Sequence, residues 1–310
     1  MDNIVILLAA YNGEKYLHTM IDSIIAQDCS NWQLILSDDG SKDSTPAILQ
    51  EYADRMPEKI TFYRSGIRFG RPEKHFLHLL QKFHDVPYMM FCDQDDYWHP
   101  DKVRKTYEKM KQIETDPTVP AMVHTDLQVV DGELKPIHPS FLQMSGITGD
   151  RMQVRQLLTQ NVVTGCTMMV NKALAELGTK HIPETGIPMH DWWLALLAAA
   201  CGNTGFLNEA TIDYRQHGNN SVGAKNVRSV KHIVNQLKSR QMAEHIRATY
   251  VQAGAFLECF HDILPEDARK TIGIYADMKK KNWLARRAAY VRYGFWKASL
   301  PRKIGQLLMG

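Results

Sequence analysis

Apolar and polar positions alternate along the first half of the chain in a repeating strand–helix rhythm. Ile4–Ala10 is a continuous apolar run, the pattern of a strand buried on both faces. Asn12-Gly13 breaks it, and Leu17, Ile21, Ile24 and Ile25 then recur at helical spacing. Trp32–Ser37 reads as a second strand, Ser44–Met56 as a helix and Ile60–Arg64 as a third strand. A helix over Pro72–Phe83 leads into a strand at Tyr88–Cys92, and Lys102–Ile113 is again helical. Repeated strand–helix–strand units predict an α/β fold with a mainly parallel sheet flanked by helices. Ala121–Val130 and Val162–Val170 read as further strands, and Asp191–Cys201 as an apolar helix after Pro188. From Val227 onward the pattern is purely helical and basic. This places a boundary near Ala224, with one unit over residues 1–223 and a helical extension over 224–310.

In parallel sheets ligands bind beyond the carboxyl ends of the strands. Asn12, Asp38-Asp39 and Asp93-Gln94-Asp95-Asp96 each follow a strand, so the fold brings them to one rim. Composition narrows the class. The 310 residues are 44% hydrophobic and 23% charged, as in an ordinary globular protein. Five cysteines without C-x-x-C spacing suggest neither a zinc site nor a disulfide framework, and fit a reducing compartment. The N-terminal apolar run lacks a basic front and is too short for a secretion signal. No stretch reaches the roughly 18 apolar residues that span a bilayer, so a cytoplasmic location is expected. The net charge of +3 hides a division: residues 1–223 hold 20 basic and 28 acidic side chains, residues 224–310 hold 17 and 6. An acidic body with a basic tail implies that the tail meets something anionic.

Three aspartates in four residues after a strand repel one another unless a cation separates them, and hard oxygen ligands suit Mg²⁺ or Mn²⁺. In isolation the same residues also read as a solvated turn before a helix N-terminus. Asp38-Asp39-Gly40-Ser41 alone equally reads as a turn and helix cap. On one rim, the two clusters together favour a nucleotide-diphosphate site.

These residues carry a resemblance. Ala9-Ala10-Tyr11-Asn12-Gly13, Ser37-Asp38-Asp39-Gly40-Ser41 and Asp93-Gln94-Asp95-Asp96 resemble the successive motifs of family 2 glycosyltransferases of GT-A fold. Thr164-Gly165-Cys166-Thr167-Met168-Met169, His190-Asp191-Trp192-Trp193 and Tyr214-Arg215-Gln216-His217 extend the match, which covers roughly residues 3–223. The set is most similar to bacterial rhamnosyltransferases of cell-wall polysaccharides. The resemblance implies that Ala10, Tyr11 and Asn12 line the nucleotide pocket and that Asp39 or Asp38 bonds the pyrimidine ring. It implies that Asp93 contacts the ribose or the metal's water shell, that Asp95 ligates Mn²⁺ or Mg²⁺, and that Asp96 orients donor or acceptor. His217 matches a histidine that completes the metal site in some relatives, and Asp191 stands in the place of the catalytic base. Many relatives have Glu-Asp where this chain has His190-Asp191. The implied reaction is inverting transfer of L-rhamnose from dTDP-β-L-rhamnose to a polyprenyl-diphosphate-linked saccharide. A UDP-sugar hexosyltransferase and a non-catalytic nucleotide-sugar-binding subunit are the alternatives.

Local grammar offers plainer roles. Asp191 before an apolar helix is a routine N-cap, which is compatible with catalysis. Trp192 and Trp193 offer a sugar-stacking platform, with a core role equally open to at least one of them. Arg64, Arg68 and Arg71 read first as a solvated loop and second as contacts to diphosphate or acceptor, His217 as a surface histidine or a ligand, and Met168 and Met169 as core. Between Lys279 and Lys303 nine basic residues interleave with aromatics, and Leu284, Ala288, Val291 and Phe295 recur at helical spacing. That pattern predicts an amphipathic surface meeting the anionic inner face of the cell membrane. Homodimerisation and packing onto the catalytic body fit it too. A nucleic-acid partner has only charge and aromatics behind it, and none is expected. The absence of G-x-G-x-x-G after the first strand argues against a nicotinamide enzyme, and no Gly-rich basic loop there suggests a nucleotidyltransferase.

Overall fold

The computed structural model describes residues 1–216 and 240–310. The boundary expected near residue 224, and His217, lie outside the described residues. Nine strands form one sheet: β1 (Ile4–Ala10), β2 (Trp32–Asp38), β3 (Ile60–Tyr63), β4 (Tyr88–Asp93), β5 (Tyr97–Trp98), β6 (Ala121–Val130), β7 (Pro136–His138), β8 (Met168–Asn171) and β9 (Asn203–Arg215). Their order is β3-β2-β1-β4-β8-β6-β9-β5, with β7 beside β6. Strands β3, β2, β1 and β4 are mutually parallel, β8 runs antiparallel between β4 and β6, and β9 pairs parallel with β6.

Helices α1 (Leu17–Ile25), α2 (Thr45–Arg55), α3 (Pro72–Phe83), α4 (Lys102–Ile113), α7 (Lys172–Lys180) and α8 (His190–Cys201) flank the sheet, with short helices α5 (Phe141–Ser145) and α6 (Val154–Leu157) between β7 and β8. The uninterrupted apolar run of β1 has its reason here. Val5 and Leu7 enter one core, which α3 and α8 cover; Ile4, Ile6 and Leu8 enter the other, which α1 and α2 cover. Helix α8 is apolar all round, and Trp193 through Ala198 are fully buried.

Among the described residues four further helices follow: α9 (Arg240–Phe260), α10 (Glu266–Ala276), α11 (Trp283–Tyr293) and α12 (Leu300–Met309). They share the core on the α3–α8 face through Tyr250, Phe256, Phe260, Tyr275, Tyr290 and Phe295. The single amphipathic face expected over Leu284–Phe295 is cut short. Gly294 takes a left-handed backbone (φ 69°) that ends α11, and Phe295 turns fully into the core. Leu284 (71% exposed), Ala288 and Val291 (69%) remain outside on α11, joined by Leu300 (70%), Ile304 and Leu308 on α12. Among the described residues no helix is long and apolar enough to cross a membrane.

Candidate active site

Loops after the carboxyl ends of β1, β2 and β4 meet above the sheet, as the strand order requires. They are laced together by side chains. Asn12 N–H donates to Ser41 Oγ (2.8 Å), Lys42 N–H to Asn12 Oδ1 (2.9 Å) and Gly13 N–H to Thr45 Oγ1 (2.8 Å). Asn12 itself sits at φ 49°, a left-handed backbone that Asn tolerates better than most residues. Gln94 works as a clamp: its Oε1 accepts from Tyr11 N–H (2.7 Å) and its Nε2 donates to the Tyr11 carbonyl (3.1 Å). A Cβ at Gly13 would clash with that Oε1, so the clamp in this form closes only over glycine. The loop carrying Asp93, Asp95 and Asp96 is thereby tied to the loop carrying Tyr11.

A cavity of about 690 Å³ opens beside this rim. Its wall includes Ala10, Tyr11, Asp39, Asp93, Asp95, Asp191 and Trp192. Asp39 is nearly buried, its carboxylate accepting from the backbone N–H groups of Phe69 and Gly70 (2.8 Å for Gly70). Asp38 does not line the cavity. Its carboxylate accepts from Gly40 N–H (3.1 Å), Ser41 N–H (3.0 Å) and Ser41 Oγ–H, and so shapes the turn. Asn12 likewise braces the rim rather than the cavity wall.

The acidic cluster divides in depth. Asp95 reaches the cavity. Asp93 also lines it, and its pKa is pushed up to about 7 by burial and by the neighbouring charges of Asp95 and Asp191. Asp96 is fully buried beneath them. Its Oδ1 accepts from Arg215 N–H (3.3 Å), and burial with its acidic neighbours raises its pKa well above the usual carboxylate range. Asp96 therefore meets the sheet through Arg215 and does not line the cavity. Asp93, Asp96 and Cys166 bring ligand atoms within 4.8 Å of one another. Below them Lys102 is buried with its ammonium 4.6 Å from the Trp98 ring centroid, and burial lowers its pKa to about 8.

Asp191 stands across the cavity in the first turn of α8. Met189 is the N-cap and makes no side-chain cap, so Asp191 is not the cap that local grammar offers. Its Oδ1 accepts from Asn161 Nδ2 (3.1 Å) and from Trp192 N–H. Burial pushes its pKa up to about 7. His190 beside it packs against Phe76 (4.4 Å) and Phe91 (5.2 Å), and burial lowers its pKa to about 3. A Cβ at Gly165 would sit 2.8 Å from His190 Nε2, which explains the glycine in the Thr164–Met169 motif. The paired tryptophans separate. Trp192 lines the cavity and donates from Nε1 to the Leu157 carbonyl (2.6 Å). Trp193 is fully buried against Phe256 (5.1 Å) and Phe260 (5.6 Å), so it belongs to the core and not to an acceptor platform.

Several wall residues lie outside the motifs. Arg68 and Arg71, read as a solvated loop, line the cavity, and Arg68 Nη2 donates to the Tyr11 hydroxyl (3.2 Å). His75 lines it too, stacked on Phe69 at 4.8 Å and bonded to Ser37 Oγ (2.8 Å). Asn161 is found only through Asp191, and Arg302 arrives from α12.

A family model described as Glycosyl transferase family 2 matches residues 5–178. The dTDP-rhamnosyl transferase RfbG of Shigella flexneri is 26% identical over 226 residues, covering 70% of this chain and 74% of that protein. The putative teichuronic acid biosynthesis glycosyltransferase TuaG of Bacillus subtilis is 25% identical, covering 73% and 83%. Among solved structures, S. aureus TarS 1-349 in complex with UDP-GlcNAc superposes with a TM-score of 0.58 at 15% identity, covering 98% of this chain and 78% of that one. The mannosyltransferase PcManGT from Pyrobaculum calidifontis, in complex with GDP-Man and Mn2+, gives 0.52 at 15% identity, covering 99% and 84%. At these identities the structural likeness shows the fold, which is GT-A with a helical C-terminal region.

Proposed function

Because the chain belongs to glycosyl transferase family 2, we propose that it is an inverting, metal-dependent rhamnosyltransferase. Its donor is then dTDP-β-L-rhamnose and its acceptor a polyprenyl-diphosphate-linked saccharide of cell-wall or surface polysaccharide synthesis. The observation that carries the reading is Asp191: a buried carboxylate with a pKa of about 7, facing the same cavity as Asp93 and Asp95. The choice of rhamnose is supported by the printed name of the Shigella relative.

Asp39 lies at the nucleotide end in this reading. Each of its oxygens accepts one backbone N–H and keeps a second lone pair for a pyrimidine ring N–H. Ala10 and Tyr11 border the base, and Asp93 takes the ribose. The donor set fits a divalent cation, since burial and then the charge of neighbouring Asp95 raise the pKa of Asp93, and the two carboxylates offer hard oxygen ligands. Asp95 would hold Mn²⁺ or Mg²⁺ with Asp93 beside it; His217, the further ligand the motif implies, lies outside the described residues. When bound, such an ion offsets the negative charge that develops on the leaving diphosphate.

Asp191 is the general base. Asn161 and the Trp192 N–H hold Oδ1, leaving Oδ2 beside Gly165 to take the proton from the attacking hydroxyl. A pKa near the working pH suits that role, because the carboxylate is then both populated and basic. Attack opposite the diphosphate inverts the anomeric centre, so a β-linked donor yields an α-rhamnoside. Trp192 presents its ring to the acceptor sugar. The exposed Leu284, Val291, Leu300, Ile304 and Leu308, among tail cations, support association with the anionic inner face of the membrane.

A donor screen tests the reading. dTDP-rhamnose with Mn²⁺ should raise the melting temperature, and UDP-GlcNAc and GDP-mannose should not, because stabilisation follows saturation. Asp95→Asn should abolish the Mn²⁺-dependent part of the shift. Equal stabilisation by a UDP-sugar would favour the hexosyltransferase alternative, and donor binding with neither hydrolysis nor transfer would indicate a binding subunit.

A further inference from the structure

The last helix takes part in the cavity. Arg302, in the first turn of α12, lines it together with Gln160, Asn161 and Trp192. Its Nη1 is buried and has no hydrogen-bond partner among the described residues. Lys297 lies close enough that the two charges oppose each other, and burial with that repulsion lowers the lysine's pKa to about 8. Neither side chain joins an ion pair among the described residues. The chain holds no acid after Asp277 to serve as a local partner.

The segment carrying these cations is anchored. The Trp296 carbonyl accepts from Arg151 Nη2 (2.7 Å) and Thr159 Oγ1 (3.2 Å), and Ala298 N–H donates to Gln160 Oε1 (3.0 Å). Gln306 ties the turn to its helix, accepting from Lys297 N–H (3.1 Å) and donating to the Phe295 carbonyl (2.9 Å). Two cations fixed together, partly desolvated and without a counter-charge, are costly unless an anion comes to them. A guanidinium with an unused N–H at a cavity wall has the geometry for a phosphate.

The diphosphate of the donor is not the obvious anion. The segment that carries Arg302 is held to the wall at Gln160, whose Oε1 accepts from Ala298 N–H. Asn161, next to Gln160 in the chain, lines the cavity and orients Asp191. Leu300 and Ile304 on the same helix are exposed and apolar, which suits a chain attached to the phosphate. We propose that Arg302, backed by Lys297, forms an oxyanion subsite at the acceptor end of the cavity and takes a phosphate of the acceptor. The assignment rests on the reading that this cavity joins a nucleotide-sugar to a phosphate-bearing acceptor.

The full chain in EDTA is titrated with inorganic pyrophosphate by calorimetry, and separately with dTDP in Mn²⁺. Arg302→Met should weaken pyrophosphate binding by about tenfold or more, as expected for losing a charge-assisted pair, with Arg302→Lys and Lys297→Met intermediate. The dTDP affinity should stay within about twofold of wild type in all three. With a polyprenyl-diphosphate saccharide, KM should rise while kcat at saturation is kept. Unchanged pyrophosphate binding in Arg302→Met overturns the subsite, and so does parallel weakening of dTDP, which would give the arginine to the donor. If Arg302→Met fails to fold, the same two outcomes are read from Arg302→Lys and Lys297→Met. The expected pyrophosphate pattern without transfer from dTDP-rhamnose would sink the donor assignment and leave the subsite standing.

Discussion

Replacing Asp191 by Asn removes a proton acceptor and, above pH 7, a buried negative charge, while leaving the side chain's size unchanged. Loss of a general base lowers the transfer rate by about 10²–10⁴-fold. The stability change has the opposite sign. Burial holds the pKa at about 7 against an ordinary 3.8. That gap of about three units is worth roughly 4 kcal/mol at about 1.4 kcal/mol per unit. The folded-state pKa is raised, so the fold prefers the protonated acid: the cost of its charge is absent below pH 3.8, grows up to pH 7 and is complete above it. Asn keeps an oxygen for Asn161 and the Trp192 N–H but turns an NH₂ toward Gly165, a loss of about 1 kcal/mol. The net gain at pH 8 is about 3 kcal/mol, or about 6 °C for a chain of this size, shrinking to about 1 °C at pH 5. Thermal melts in EDTA at both pH values, with transfer assays in Mn²⁺, read both effects, and dTDP binding should be unaltered. Transfer within tenfold of wild type would refute the base assignment. A variant less stable than wild type at pH 8 would refute the buried-charge argument.

Other consequences can be measured separately. His124 is fully buried, bonded to the Gly149 carbonyl (2.9 Å) and stacked on Phe206, with a pKa lowered to about 4 by burial. Between pH 6.5 and 4 the unfolded chain binds a proton that the fold excludes, so stability falls as pH drops through that window. Urea unfolding at pH 7 and 5 should show a loss in wild type larger by about 2 kcal/mol than in His124→Gln; equal losses would count against it. Substituting Leu284, Val291, Leu300 and Ile304 together by Gln touches only exposed positions. It should lower partitioning onto phosphatidylglycerol vesicles about tenfold or more. Unchanged partitioning would remove the membrane proposal. Truncation after Asp277 is a poorer test, because Tyr290 and Phe295 would leave the core.

Much of the catalytic body was legible because its chemistry is local. Strand β1 and helices α3 and α4 follow from apolar runs or helical spacing alone, and the acids of the rim follow directly from strand ends. Strand β9 escaped because its burial is irregular and its register with β6 shifts around Asp126, so neither alternation nor an apolar run announces it. Residues 162–167 are not strand. Thr164–Thr167 forms a tight turn that lets Gly165 approach His190, a requirement set by a helix 25 residues later. The difference between Trp192 and Trp193 depends on which side of α8 meets α9. Arg302 reaches the cavity only through a glycine-ended helix and an anchored turn, and no spacing in the sequence joins it to Asp191.

Helix α8 brings Asp191 and Trp192 to the cavity and seats Trp193 on Phe256 and Phe260. Inactivation and melting should therefore share one calorimetric transition, because the base cannot keep its place once α9 lifts from Trp193. Heat tolerance of the chemistry is then written as much in the aromatic contacts of the last third of the chain as in the strands that present the acids.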